Sequence, residues 1–166
     1  MSLKLELTDL NLRKIQNIDL PILCKIYGST RTEELDNGTN WDNEQKKKFI
    51  EHQFFAQHDY YQKKFLGADF YLIEKQDIAI GRLYIDYFFE NKEIRIIDIT
   101  ILPEWRNKGI GSLIFKEIIN KARNTNLKVT IHVESFNPAK ELYKRLGFIK
   151  ISETNGIYHL MEWSPK

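Results

Sequence analysis

The run Ile94-Arg95-Ile96-Ile97-Asp98-Ile99-Thr100-Ile101 constrains the fold of this chain more than any other segment. Isoleucine is β-branched and favours an extended backbone, so a stretch this rich in it defines a strand. Pro103 ends that strand, because proline has no N–H to give to a ladder. Beyond it, Ile110, Leu113, Ile114, Ile118 and Ala122 recur at helical spacing and predict an amphipathic helix over 109–124. A strand feeding a helix through a loop with Gly109 and Gly111 leaves the first helical N–H groups without backbone acceptors.

The elements around this junction follow from the same reading. A short strand is expected over 12–15, then a helix with Asp19 as N-cap and Pro21 just inside, running towards Thr30. Asp36-Asn37-Gly38 reads as a turn, and 43–64 as a helix with Phe49, Ile50, Phe54 and Tyr61 at mostly helical spacing. Strands over 70–73, 78–89 and 94–101, separated by Lys75-Gln76-Asp77 and Glu90-Asn91-Lys92, predict an antiparallel meander. Downstream come a strand over 129–133, a helix over 138–146, a strand over 148–152, the turn Asn155-Gly156 and a last strand over 157–163. This order gives an α/β (α+β) fold, a mixed sheet with helices on its faces. With no repeat and no linker-like tract, a single domain over 1–166 is the simplest organisation.

Composition removes several function classes. The 25 basic and 23 acidic side chains leave a formal charge of +2, without the surplus that nucleic-acid binding uses. Lys46-Lys47-Lys48 is flanked by Glu44 and Glu51 and reads as a solvated helix face. The one cysteine, Cys24, sits among apolar residues as a buried thiol and excludes a cysteine-cluster metal site. The chain shows no membrane-length apolar run and no apolar signal core at its N-terminus, so a cytoplasmic location is expected, with no membrane partner.

The loop Leu102-Pro103-Glu104-Trp105-Arg106-Asn107-Lys108-Gly109-Ile110-Gly111-Ser112 combines free amides, a helix dipole and two cations, the ingredients of a phosphate site. It is not a P-loop, since Gly111 is followed by Ser112 and Leu113, and it lacks the third glycine of a dinucleotide fingerprint. Arg106-x-x-Gly109-x-Gly111 after such a strand resembles the acetyl-CoA pyrophosphate loop of GNAT acetyltransferases. The segment Asn137-Pro138-Ala139-Lys140-Glu141-Leu142-Tyr143-Lys144-Arg145-Leu146-Gly147-Phe148 resembles a second block of that family. The two blocks and the elements around them cover roughly residues 11–163.

The resemblance implies a mostly antiparallel sheet of about seven strands flanked by about four helices. It also implies an N-acetyltransferase that moves the acetyl group of acetyl-CoA, with no metal, to a primary amine of a small molecule or peptide by direct attack in a ternary complex. Arg106, Asn107, Lys108, Gly109, Ile110, Gly111 and Ser112 would hold the pyrophosphate, the backbone of Ile99 and Ile101 the pantetheine arm, and Asn137 the arm or the helix it precedes. Tyr143 would protonate the departing thiolate. His132 would take the amine's proton, with Glu134 and Asp98 as the other candidates. Tyr27, Arg31, Glu33, Glu34, Trp41, His52, His58, Tyr60 and Tyr61 fall on the acceptor side, and none of them fixes the acceptor. A homodimer is a further expectation, with the apolar surface of the last strands as its place. A non-catalytic acyl-CoA-binding module is the rival reading, as is an acyltransferase for longer acyl groups or a hydroxyl acceptor.

Overall fold

Polar turns fold the middle of the chain back on itself. Gln76 and Asp77, Glu90 and Asn91, and Asn155 and Gly156 all take left-handed backbone conformations, as tight hairpin connections require. The first two turns join β2 (Asp69–Lys75), β3 (Ile78–Phe89) and β4 (Glu93–Ile101), and the third joins β6 (Ile149–Thr154) to β7 (Tyr158–Trp163). In this computed structural model, which describes Leu3 and residues 9–166, these strands, β1 (Leu10–Lys14) and β5 (Lys128–Glu134) form one seven-stranded sheet. Its order is β1-β2-β3-β4-β5-β7-β6, antiparallel throughout except for the central β4–β5 pair.

Among the described residues there are five α-helices, and four of them cover the two faces. On one face, α1 (Leu20–Ser29) and α3 (Asn43–Lys64) bury Leu23, Ile26 and Phe54 against Leu72 and Tyr84. On the other, α4 (Ile110–Thr125) and α5 (Ala139–Arg145) bury Ile114, Phe115, Ile118 and Tyr143 against Ile94, Ile96, Val129 and Met161. The alternating pattern of β4 therefore feeds two separate cores, one on each side of the sheet.

The fold class expected from the sequence is observed, with local corrections. The stretch read as a turn at 36–38 is the last turn of a fifth helix, α2 (Thr32–Gly38), which the buried Leu35 anchors. The first strand starts earlier than its own alternation suggests, because Leu10 pairs with Lys75 at the end of β2. Asp19 does not cap α1 with its side chain: the carboxylate accepts the Gln16 N–H at 2.7 Å and binds the Arg13 guanidinium at 2.8 Å. That pairing holds Asp19 below the usual carboxylate range. Each lysine of the 46–48 run faces a carboxylate, Lys46 with Asp36 at 2.7 Å and Lys47 and Lys48 with Glu51 and Glu44 at 3.9 Å. Cys24 is half-buried, and burial raises its thiol pKa. Among the described residues no helix is long and apolar enough to cross a membrane. The expectation about the N-terminal segment falls mostly on residues outside those described.

Candidate active site

The site begins where the sheet stops pairing. β4 and β5 are in register from Glu93 with Lys128 to Ile96 with Ile131, and the ladder then ends. A break in the β3–β4 register accounts for this: Tyr84 pairs with Asp98 but Ile85 with Ile96, so Ile97 is an extra residue. A bulge of this kind bends its strand, so the C-terminal half of β4 leaves β5 and a gap opens between them.

The backbone of β4 faces this gap at alternate residues. The Leu102 N–H donates to Ile80 O at 2.8 Å, on the β3 side. With a period of two, the backbone groups of Ile101 and Ile99 point the other way, into the gap. Arg106 confirms the direction, since its Nε donates to Ile101 O at 2.7 Å. The guanidinium of Arg106 is thus engaged with the strand end rather than lying free over the loop.

Past the strand, the chain turns through Asn107 and Gly109, both left-handed with φ of 58° and 79°. The first helical bond of α4 is Leu113 N–H to Gly109 O at 3.0 Å. Among the described residues, no backbone acceptor serves the amides of Asn107, Lys108, Gly109, Ile110, Gly111 or Ser112. A Cβ built at Gly109 would meet nothing within 4 Å, and one at Gly111 would touch only Leu142, at 3.9 Å. The glycines are therefore not there to relieve packing. Gly109 supplies the positive φ, and the space over both is open to a ligand. Lys108 lies 5.6 Å from the Trp105 ring, beside the same amides. Open amides, a helix N-terminus and the adjacent Lys108 fit a pyrophosphate.

On the α4/α5 side, Tyr143 is 4% exposed and packs against Phe115 at 4.9 Å and Phe148 at 6.0 Å between ring centroids. Burial first, and the charge of Asp98 second, raise its phenol pKa, so it holds its proton at neutral pH. Asn137 uses its side-chain oxygen to accept the Ala139 N–H at 2.9 Å, which secures the start of α5.

On the α1/α3 side the gap is bordered by charge. Asp98 binds Arg82 and accepts the Thr100 hydroxyl at 2.8 Å, and Arg82 also donates to Gln57 at 2.8 Å. His132 is exposed, with Nδ1 3.4 Å from Arg95, whose other nitrogens donate to Thr130 and Glu93 at 2.7 Å each. Partial burial and then Arg95 hold the His132 imidazole below its ordinary value, neutral at physiological pH. Because Arg95 can only donate, this contact places the ring hydrogen on Nε2. Glu134, at the end of β5, lies 4.0 Å from Arg31, which also reaches Tyr27 and Glu34. Trp41 packs on Phe49, and Tyr60 stacks beside Tyr61, as parts of the helical layer.

Arg82, Gln57 and Gly81 were not apparent from the sequence. Gly81 lets β3 approach β4, since a Cβ there would run into the Thr100 carbonyl oxygen. A cavity of about 910 Å³ between α1, α2 and α3 is lined by Cys24, Ile50, Leu102 and Pro103, but by none of the gap residues.

A seven-stranded sheet split at its central parallel pair, with an anion loop at the open end, defines an acyl-CoA-type transferase fold. The chain belongs to the acetyltransferase (GNAT) family, whose model matches residues 34–148. It is similar to the uncharacterized N-acetyltransferase CgeE of Bacillus subtilis, 29% identical over 87 residues, 52% of this chain and 33% of that protein. It thus spans about a third of that curated relative. Among solved structures it resembles the PaiA N-acetyltransferase of Thermoplasma acidophilum in complex with coenzyme A. That match has a TM-score of 0.67 and 15% identity, covering 93% of this chain and 98% of the other. Spermidine N-acetyltransferase from Vibrio cholerae, in complex with CoA and spermine, matches at a TM-score of 0.63 and 19% identity, over 94% and 95% of the two chains.

Proposed function

We propose that this protein transfers the acetyl group of acetyl-CoA to a primary amine by direct attack while both are bound. The observation that carries this reading is the gap between β4 and β5, bordered by outward-facing backbone groups of Ile99 and Ile101 and continuous with the open amides of 107–112. Acetyl-CoA brings a pyrophosphate suited to those amides, an extended arm suited to the gap, and a thioester as the acyl donor. The structural neighbours bound to CoA support the same choice.

The chain's own groups then divide the work. Residues 106–112 hold the pyrophosphate, with Lys108 adding charge. The Ile99 N–H polarises the thioester carbonyl and stabilises the oxyanion that forms when nitrogen attacks. Tyr143, protonated in its buried setting, gives its proton to the sulfur as the carbon–sulfur bond breaks. His132 takes the proton released by the amine, once its ring turns from Arg95; at 3.4 Å that contact is long and easily given up. The acceptor approaches from the α1/α3 face, and a small-molecule amine is supported by the spermidine enzyme among the neighbours.

Two measurements test the reading. Acetyl-CoA at 100 times its dissociation constant should stabilise the fold by about 2.7 kcal/mol, seen as a rise in melting temperature. Thiol release with a panel of spermidine, lysine and short peptides should then find an acceptor. No thermal shift would reject the cosubstrate, and a shift without turnover on any amine would favour a binding module.

A further inference from the structure

The proposed transfer gives no task to the arginine buried beneath the acceptor side. Arg82 is 1% exposed, on the α1/α3 face of β3, with its guanidinium 4.7 Å from the Tyr84 ring and 5.9 Å from that of Tyr27. The core on this face of the sheet is apolar, with Leu23, Ile26, Phe54, Leu72 and Leu102 buried in it, while His58 and Tyr61 are close enough to feel the charge of Arg82. Burying a cation there costs more than an apolar side chain of similar size, so stability alone does not account for it.

The pair is asymmetric. Arg82 is sealed in, whereas the Asp98 side chain remains 17% exposed at the border of the gap. Thr100 donates to one Asp98 oxygen and Arg82 to the other, which leaves each oxygen a further lone pair. Gln57 takes a second Arg82 hydrogen at 2.8 Å and fixes the guanidinium from the α3 side.

The bulge explains how Asp98 comes to stand there. Ile94 and Ile96 belong to the α4/α5 core, and unbroken alternation would send Asp98 and Thr100 into that core after them. The extra residue at Ile97 inverts the pattern, so Ile99 and Ile101 take the core face and Asp98 turns to the acceptor face. The same irregularity that opens the gap therefore aims a carboxylate beside it, one residue before Ile99.

We infer that Asp98 holds the nitrogen of the incoming amine and that Arg82 is the positioning residue that fixes its carboxylate for this purpose. The ligand class is a primary amine or its ammonium form, whose N–H groups meet the free lone pairs of Asp98. This inference rests on the transfer reading above and adds to it the group that recognises the acceptor.

The test uses the full chain and the double variant Arg82→Met/Asp98→Asn, which removes both charges together so that neither is left buried alone. Spermidine is the first probe, followed by the other amines of the panel. The expected result is a folded protein whose acetyl-CoA dissociation constant stays within about twofold of wild type, with amine KM raised at least tenfold and kcat lowered less. Arg82→Lys, which keeps a cation beneath Asp98, should recover part of the KM. A double variant with wild-type KM, or one that loses acetyl-CoA binding and amine turnover to the same degree, overturns the inference and leaves a structural ion pair. If wild-type protein binds acetyl-CoA yet acetylates no amine, the transfer reading falls, and this inference falls with it.

Discussion

The two sides of the gap are built by different means. The side proposed for the donor consists of backbone: amides of 107–112, strand groups of Ile99 and Ile101, and the apolar α4/α5 core that holds Tyr143. The side proposed for the acceptor consists of side chains, Arg82, Asp98, Arg95, His132, Glu134 and Arg31, each fixed by neighbours from other elements. Backbone donors are available in any chain that adopts the right turn, so they suit a cosubstrate that stays the same. Side chains can be exchanged without moving the main chain, so they suit an acceptor that differs between relatives.

The comparison can be broken most forcefully at Asp98. Asp98→Ala alone leaves Arg82 buried without its counter-charge and should cost about 3–5 kcal/mol in urea unfolding. A loss below about 1 kcal/mol would mean that Arg82 escapes to solvent. On the donor side, Gly109→Asp forces a left-handed residue and places a negative charge at the anion loop. It should weaken acetyl-CoA binding by about 100-fold, or about 2.7 kcal/mol, in calorimetry, with amine recognition untouched. Unchanged affinity would remove the anion loop from the site.

Smaller effects sharpen the division. Tyr143→Phe keeps the ring packing and should lower kcat by about 100-fold while acetyl-CoA affinity stays the same. Equal loss of both would make Tyr143 a packing residue. If His132 is the base as proposed, its neutral form is the active one, and its pKa lies below the ordinary 6.5. The rate should therefore be flat at neutral pH and fall tenfold per unit once pH drops below that pKa, and His132→Gln should abolish the fall. An acid limb that persists in the variant would assign it to another group. Thr100→Val, which removes one donor to Asp98, should cost about 1 kcal/mol of stability, with a modest rise in amine KM.

The donor side was legible in the sequence because its parts are contiguous. Residues 106–112 follow one strand and start one helix, and Asn137, Tyr143 and Phe148 fall within a single strand–helix–strand passage. On the other side Tyr27, Arg31, Asp98, His132 and Glu134 were named singly from the sequence, but Gln57 and Arg82 were not, because these residues come from α1, α3, β3, β4, β5 and the chain between helices and meet only in the fold. Arg82 in particular was not singled out, because its burial depends on α3 and Gln57, which are far from it in sequence. Asp98 stood out as a carboxylate among isoleucines, but the face it takes depends on a bulge set by pairing with β3, which no local pattern encodes. The helix α2 was missed for a related reason, since its seven residues end in turn-forming Asp36-Asn37-Gly38 and depend on burial of Leu35.

The gap has one more consequence. A sheet ordinarily has two open edges, both on its rim, where any passing strand of another protein can add to it. Here the sides of residues 97–100 and 132–134 turned towards the gap also lack strand partners among the described residues, but they lie at the centre of the sheet rather than on its rim. An edge at the centre of a sheet offers the same row of hydrogen-bonding groups, but between two strands of its own chain rather than to passing ones. The protein thus keeps a stretch of open ladder available for a narrow chain-like ligand without exposing that stretch to aggregation.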